Sequence, residues 1–344
     1  MPIKVLIIDD SAIVRSVFSQ ELAKDPDIEV VGVAPDPIIG RDKIVQLRPD
    51  VITLDIEMPR MDGLQFLEKL MRHYPMPVVV VSSLAKTGGD VALRAIELGA
   101  VEVMAKPGSA YSVGDMSSQL IQKIKSAAAV KTFHKVSFST AGTSAASSSA
   151  LQVKTTNKIV AIGASTGGTE ALKEVLIKMP LNAPATVVVQ HMPQNFTKAF
   201  ADRLNGICKV EVKEAVDGEF LSTGKVLIAP GNFHMELVRS GVNYLVKLNS
   251  DPMVHHQRPA VDILFDSVAR VVGKNAVGCL LTGMGKDGAA GLLNMKNAVA
   301  NTVVQDEKTC IVFGMPKEAI AMGAATIVRP LQEITDSIIE FVNK

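Results

Sequence analysis

Short runs of consecutive apolar residues, each closed by a polar or glycine-rich corner and followed by a helical repeat, limit this chain to a parallel α/β architecture. In its first third these runs are VLIID (Val5–Asp9), EVVGVA (Glu29–Ala34), VITLD (Val51–Asp55), VVVVSS (Val78–Ser83) and VEVMAK (Val101–Lys106). Runs that are apolar throughout, and not at alternate positions, belong to strands covered on both faces. After the first run, Val14, Phe18 and Leu22 recur at the spacing of a helix face. The alternation resumes after Asn157, where KIVAIGAS and ATVVVQHM (Ala185–Met192) read as strands around a helix over Thr169–Lys178. A meander-like stretch then passes through VLIAPG, HMELVRSG and YLVKLN, with turns at Asp217-Gly218 and Ser240-Gly241. The helix PAVDILFDSVARVV and the strand AVGCLLTG return to α/β character. The expected fold is two doubly wound parallel-sheet domains joined by a flexible linker, the C-terminal one with an antiparallel excursion.

The segment Thr140–Asn157 is rich in Ser, Thr and Ala and follows neither period, as a flexible linker would. The expected boundaries are 1–129 for the first domain, 130–157 for the linker and 158–344 for the second. Lys and Arg number 36 against 35 Asp and Glu, so no long-range field favours nucleic acid or an anionic membrane as partner. No concentrated basic face or helix-turn-helix marks the second domain as a DNA reader. No apolar run approaches the roughly 20 residues of a membrane span, and MPIKVLIIDD lacks the pattern of a signal peptide. Cys208, Cys279 and Cys310 lie too far apart to suggest a disulfide framework or a zinc ribbon. A cytoplasmic, reducing location is expected.

In open α/β sheets ligands gather at the carboxyl ends of the strands. There the first domain offers Asp9, Asp10, Asp55, Ser82 and Lys106. Carboxylates brought together repel unless a hard cation lies among them, and Mg²⁺ suits oxygen ligands while leaving positions for phosphate. Asp55 could then attack a phosphoryl group, with Lys106 and Ser82 binding its oxygens. Alternatively, Asp9 and Asp10 cap the following helix and Asp55 is a solvated loop acid. The Lys106-Pro107 bond is a candidate for the cis form. LIIDDSAIVR, DVITLDIEMPRMDG, VVVVSS and VMAKP resemble the receiver domain of two-component response regulators, over Met1 to about Lys125. The resemblance implies that Asp55 is the phosphoacceptor and that Asp9 and Asp10 are the acidic pair. It further implies that Asp10 and Asp55 ligate Mg²⁺ directly and that the Glu57 carbonyl is a further ligand. Ser82 takes the switch hydroxyl position and Lys106 that of the family's lysine; the usual aromatic switch position is not evident in VEVMAK.

In the second domain, GASTG (Gly163–Gly167) matches the G-x-S-x-G elbow between a strand and a helix. The segment alone suits a phosphate-binding loop as well as a raised nucleophile, Ser165. A nucleophilic serine needs a base, and His191 falls at the end of the next strand. An orienting carboxylate, Asp287, lies in the glycine-rich corner LLTGMGKDGAAG. The order Ser, His, Asp, with no histidine after Asp287, excludes the usual α/β-hydrolase sequence. Singly, Ser165 reads equally as a helix cap, His191 as a core histidine and Asp287 as a turn residue. His255 and His256 read as a solvated loop and not a metal site, since no acidic or thiol partner is close in sequence, Arg258 as a docking group for a carboxylate-rich surface, and His134 as exposed.

GASTGGTEAL, VVVQHMP, IAPGNFHMEL, LLTGMGKDGAAG and VFGMPKEAI closely resemble the catalytic domain of the chemotaxis receptor methylesterase family, and with the receiver the resemblance spans essentially the whole chain. It implies hydrolysis of glutamate γ-methyl esters on the cytoplasmic helices of methylated chemoreceptors, with release of methanol and often glutamine deamidation. It carries over Ser165, His191 and Asp287 as the triad, the Met284 N–H as oxyanion donor, and Thr166 and His234 as lining residues. A chemotaxis histidine kinase is the implied phosphodonor. No cofactor is expected for the ester chemistry, and neither nucleic-acid binding nor direct membrane insertion. The unphosphorylated receiver is expected to pack over the Ser165 cleft. The rival expectation is a phosphorylation-switched docking module without chemistry.

Overall fold

The computed structural model describes residues 1–58, 61–82, 88–106, 113–130 and 158–344, without the side chains at 82, 88 and 113–116. The chain divides into two compact units. Nearly all of the expected linker, His134 and the Lys106-Pro107 bond lie outside the described residues.

The N-terminal unit alternates β1 (Ile3–Ile8), α1 (Ala12–Leu22), β2 (Ile28–Ala34), α2 (Pro37–Leu47), β3 (Val51–Asp55), α3 (Gly63–His73), β4 (Val78–Ser82), α4 (Gly88–Glu97), β5 (Glu102–Ala105) and α5 (Val113–Ala128). The strands form one parallel sheet in the order β2-β1-β3-β4-β5. Leu6, Ile7, Ile52 and Leu54 are completely buried, which explains why the central strands read as unbroken apolar runs. Phe18 and Leu22 of α1 pack with Leu120 and Ile124 of α5 in one core cluster. Local chemistry fixes where the helices begin. Ser11 accepts from the Val14 N–H at α1, and Asp36 accepts from Ile38 and Ile39 at α2, just before Pro37. The chain steps from β1 to β2 on one side and to β3 on the other, so a crevice opens at the carboxyl ends of β1 and β3.

The C-terminal unit contains β6 (Ile159–Ala164), α6 (Gly168–Ile177), β7 (Ala185–Gln190), α7 (Phe196–Asn205), β8 (Glu211–Glu214), β9 (Lys225–Ile228), β10 (His234–Ser240), β11 (Asn243–Asn249), α8 (Val261–Val271), β12 (Ala276–Leu280), α9 (Ala289–Asn297), β13 (Asn301–Gln305), α10 (Met315–Ala321), β14 (Ile327–Arg329) and α11 (Ile334–Asn343). Its parallel sheet runs β14-β13-β12-β6-β7-β9-β8. The antiparallel excursion is narrower than the sequence pattern predicts, consisting of the β10–β11 hairpin. VLIAPG instead joins the parallel sheet as β9, because Val226, Leu227 and Ile228 are buried in succession. Met235, Leu237 and Val246 of the hairpin share a core cluster with Phe265 and Val268 of α8, so hairpin and helix cover each other. The order reverses around β6, with β7 on one side and β12 on the other, which places a second crevice at their carboxyl ends.

Phe265 is fully buried in that cluster. Phe265→Ala is expected to destabilise the C-terminal unit by about 3–5 kcal/mol. Hydrogen exchange by mass spectrometry should show the loss across residues 158–344, with protection of β1–β5 unchanged.

Candidate functional site

Ser165 immediately follows β6 and His191 immediately follows β7, and these strands are hydrogen-bonded neighbours. Asp287 comes from the loop between β12 and α9, on the other side of β6. The three side chains meet in line. His191 Nδ1 lies 3.0 Å from Ser165 Oγ, and His191 Nε2 lies 2.8 Å from Asp287 Oδ2. An ionised Asp287 only accepts, so the ring proton sits on Nε2 and Nδ1 is left to accept from the Ser165 hydroxyl. His191 and Asp287 are buried, whereas Ser165 is partly exposed. The group is therefore built to raise a hydroxyl nucleophile towards solvent with a shielded base behind it.

Asp287 is held by more than the histidine. It receives the Val261 N–H on Oδ2 at 2.7 Å and the Asp262 N–H on Oδ1 at 2.9 Å, both from the first turn of α8. Burial alone would push this carboxyl up. The His191 bond and charge, with the two N–H groups, outweigh burial and hold the carboxyl below its ordinary range. The unpaired N–H groups of a helix start suit an anion for the reason they suit phosphate. Sequence reasoning missed this contribution from PAVD, whose only visible signal was a helix start without a capping side chain.

Gln190, also missed, ties nucleophile to base. Its Nε2 donates to the Ser165 carbonyl at 3.0 Å and to the His191 carbonyl at 3.4 Å. A Cβ at residue 168 would collide with Gln190 Oε1, so Gly168 is needed for this amide to fit. The Gly168 N–H also donates to the Ser165 carbonyl at 2.7 Å, closing the turn.

The remaining residues fall around this line. Thr166 is buried, and its carbonyl accepts from Thr282 Oγ1 at 3.0 Å. A Cβ on Gly283 would lie 2.7 Å from Ser165 Cβ, so the segment leading into Met284 runs against the serine. His234 accepts the Ala260 N–H on Nδ1 at 3.2 Å and donates from Nε2 to the Pro252 carbonyl at 3.1 Å. Burial pushes its pKa down, consistent with that neutral ring. Arg258 does not face outward as a docking group, since it donates to Asn232 Oδ1 and to the Ser250 and Asp251 carbonyls. His255 does have an acidic partner, Asp262, with Nε2 3.0 Å from Oδ2.

In the N-terminal unit, Asp9, Asp10 and Asp55 each bring an oxygen to within 4.8 Å of the others at the β1/β3 crevice. Asp10 is exposed and the other two are buried. Lys106 Nζ donates to Asp55 Oδ2 at 2.6 Å and lies 3.4 Å from Asp9 Oδ2. The Glu57 and Ser11 N–H groups donate to Asp55 Oδ1 and Asp9 Oδ1. Asp9 Oδ2 is buried and, beyond the 3.4 Å ion pair with Lys106, has no hydrogen-bond partner, which leaves it able to take a cation. This all-oxygen set fits a hard divalent ion. Asp9 does not cap α1, whose cap is Ser11. β4 carries Ser82 to the same edge by its backbone, opposite Ala105; the Ser82 hydroxyl lies outside the described residues. Burial, aided by the charge of Asp9, pushes the Asp55 carboxyl up to about 6 despite Lys106 and the Glu57 N–H. Lys106 is itself raised: burial opposes its charge, but Asp55 and Asp9 together favour it.

A family model described as CheB methylesterase matches residues 160–338, and one described as response regulator receiver domain matches residues 5–115. A protein of Syntrophus aciditrophicus named protein-glutamate methylesterase/protein-glutamine glutaminase 2 is 58% identical over 340 residues, covering 99% of this chain and 99% of that protein. A Thiobacillus denitrificans protein-glutamate methylesterase/protein-glutamine glutaminase is 50% identical over 345 residues, covering 99% of this chain and 97% of its own length. Among solved structures, the CheB methylesterase catalytic domain of Thermotoga maritima matches with a TM-score of 0.53 at 41% identity, covering 54% of this chain and 99% of that one.

The raised Asp55 carboxyl gives a pH signature. The folded protein binds this proton more tightly than the unfolded chain, so the stability it contributes is present below the ordinary carboxylate pKa and is lost as pH rises through about 6. A carboxyl ¹³C NMR titration of the metal-free protein should show Asp55 with a midpoint near 6. Added divalent cation should move that midpoint down, because the ion takes only the ionised form.

Proposed function

The chain belongs to the CheB methylesterase family and is a protein-glutamate methylesterase/protein-glutamine glutaminase with a receiver domain; from that premise we propose how its residues divide the work. Ser165 attacks the γ-carbonyl of a methylated receptor glutamate while His191 Nδ1 takes its proton. His191 then returns that proton to the departing methanol, leaving an acyl-Ser165 ester. Water, deprotonated by the same nitrogen, attacks the acyl carbon; the bond to Ser165 Oγ breaks, His191 returns the proton to that oxygen, and the acyl group leaves as a carboxylic acid that ionises. With glutamine as substrate the departing group is ammonia. Asp287 keeps the ring proton on Nε2 and stabilises the imidazolium formed in each step, help of a kind typically worth 10²–10⁴-fold. The Met284 N–H receives the developing oxyanion, and Thr166 and His234 shape the wall behind it. The observation that carries this reading is the continuous line from Ser165 through His191 to Asp287.

The receiver domain brings a divalent-metal-binding phosphorylation site. We assign Asp9, Asp10, Asp55 and the Glu57 carbonyl as the groups that would hold Mg²⁺, which would supply screening of their charge and a positive site for phosphoryl oxygens. Asp55 takes the phosphoryl group from a chemotaxis histidine kinase, and Lys106 and Ser82 hold the oxygens of the product. Phosphorylation adds roughly 1.5 to 2 negative charges, and this raises the activity of Ser165. The substrate is the cytoplasmic helical region of methylated chemoreceptors, which places the enzyme in the cytoplasm. Among the described residues no helix is long and apolar enough to cross a membrane. Functional boundaries at 1–129, 130–157 and 158–344 accompany this division of labour.

Methanol release from methylated receptor membranes, with Mg²⁺ and a small phosphodonor, tests the proposal. Ser165→Ala should lose roughly 10⁴-fold or more, and Asp55→Ala should lose the increase that the phosphodonor gives. Full release by Ser165→Ala would overturn Ser165 as the nucleophile, and no release by the folded, phosphorylated wild-type protein would leave only a docking role. Gln190→Leu should lower kcat by roughly 10- to 100-fold with little change in KM, since it loosens nucleophile and base without touching substrate.

A further inference from the structure

Asp287 is backed by a second histidine–carboxylate pair. His255 Nε2 lies 3.0 Å from Asp262 Oδ2, and Asp262 is buried. Asp262 meets the acid of the triad once directly and once through the loop that carries it. Its N–H donates to Asp287 Oδ1, and its own Oδ1 accepts from the Gly291 N–H at 2.7 Å, in the first turn of the helix that follows Asp287. Asp262 therefore clips the start of α8 to the far end of the loop that carries Asp287. Its position is not a comfortable one for a charge. Burial and the neighbouring Asp287 push its carboxyl up, while the Gly291 N–H and His255 act in the opposite sense. Without His255, Oδ2 would lose the one side-chain partner that counters the approach of Asp287.

The backbone at His255 carries an independent sign. Val254 and Gln257 exchange N–H···O bonds of 3.1 and 2.9 Å, so His255 and His256 are the two central residues of a tight turn. Both have positive φ, 53° and 60°, the pattern of a type I′ turn. Asn, Asp and Gly dominate such positions. Two histidines there are unfavourable for the turn itself, and the side chain of the first reaches Asp262. A metal ion among His255, Asp262 and Asp287 would have to compete with the three donors that already occupy Asp287, His191 Nε2 and the N–H groups of Val261 and Asp262.

We propose that His255 is a positioning residue for the esterase chemistry, acting through Asp262 to fix the place and charge environment of Asp287. The inference rests on the Ser165–His191–Asp287 reading. His255→Asn is the informative variant in the full-length protein, because asparagine suits the turn better than histidine but is too short to replace Nε2 at Asp262. It should lower kcat for methanol release from methylated receptor membranes roughly 10-fold, below the ~100-fold that an ångström of misplacement costs. KM and the thermal midpoint should not fall. Asp262→Asn, which keeps an acceptor for Gly291, should lower kcat at least as much, and the double variant should be no worse than Asp262→Asn alone. His256→Asn, with the same gain in the turn and no pair to lose, should retain wild-type kcat. A wild-type kcat in His255→Asn, a fall matched by a lower thermal midpoint, or independent effects in the double variant would each overturn the proposal. Ser165→Ala in the same assay separates the two readings. If it stays active the triad itself fails, whereas an inactive Ser165→Ala beside a fully active His255→Asn removes only the role of His255.

Discussion

A carboxylate buried against the start of a helix is the constraint on which the catalytic unit depends. An isolated charge at the depth of Asp287 would neutralise itself by taking up a proton. It stays ionised because three donors converge on it from two directions, the imidazole of His191 and the first two N–H groups of α8. That requirement binds distant parts of the chain together. The β12 loop must present the carboxylate, α8 must begin at Val261, and β7 must end with a histidine beside the elbow of β6. Gln190 and Gly168 close the arrangement from the nucleophile side. The polar atoms of the triad are hydrogen-bonded, Gln190 Oε1 is buried without a partner, and the serine is the partly exposed member.

The N-terminal unit solves the opposite problem with the same topology. Its strand order also reverses, around β1, and it also gathers acids at the carboxyl ends of its strands. Here the charges are left short of partners. Among the described residues Lys106 is shared between Asp9 and Asp55, Asp9 Oδ2 has the 3.4 Å ion pair to Lys106 but no hydrogen bond, and the Asp55 carboxyl is raised. Such a site gains from taking up cation and phosphate, and its resting energy changes when it does. One half of the molecule is electrostatically complete and does chemistry; the other is incomplete and acts as a switch.

Much of this was legible in the sequence, for identifiable reasons. Strands buried on both faces leave unbroken apolar runs, so β1 to β7 and β12 were visible apart from small shifts at their ends. Ser165, His191 and Asp287 follow from one rule, that polar residues closing such strands share an edge. β8 escaped because only its Val212 is buried while Glu211, Lys213 and Glu214 line an outer strand. β9 was read as part of a meander because its pairing partners, β7 and β8, are separated from it by stretches with no visible register. The partners of Asp287 on α8 were missed because they are backbone N–H groups, which every residue but proline possesses. His255 was missed because its carboxylate partner lies across a turn, where spacing in sequence says little about direction in space.

The central place of β6 also bears on how the enzyme becomes active during folding. Ile159 pairs with Ala185 on one flank, a contact closed by the single α6 crossover, and with Ala276 on the other, which waits for most of the domain to be in place. Long-range parallel pairings of this kind form late, because the entropy of the intervening chain must be overcome first. Ser165 and His191 can thus be neighbours in a partly folded chain while Asp287 is still absent. A nascent or damaged domain would present a serine and an imidazole without the acid that orients them, and so would be a poor hydrolase. Placing the three groups on strands so unequal in sequence distance makes catalytic competence coincide with completion of the sheet.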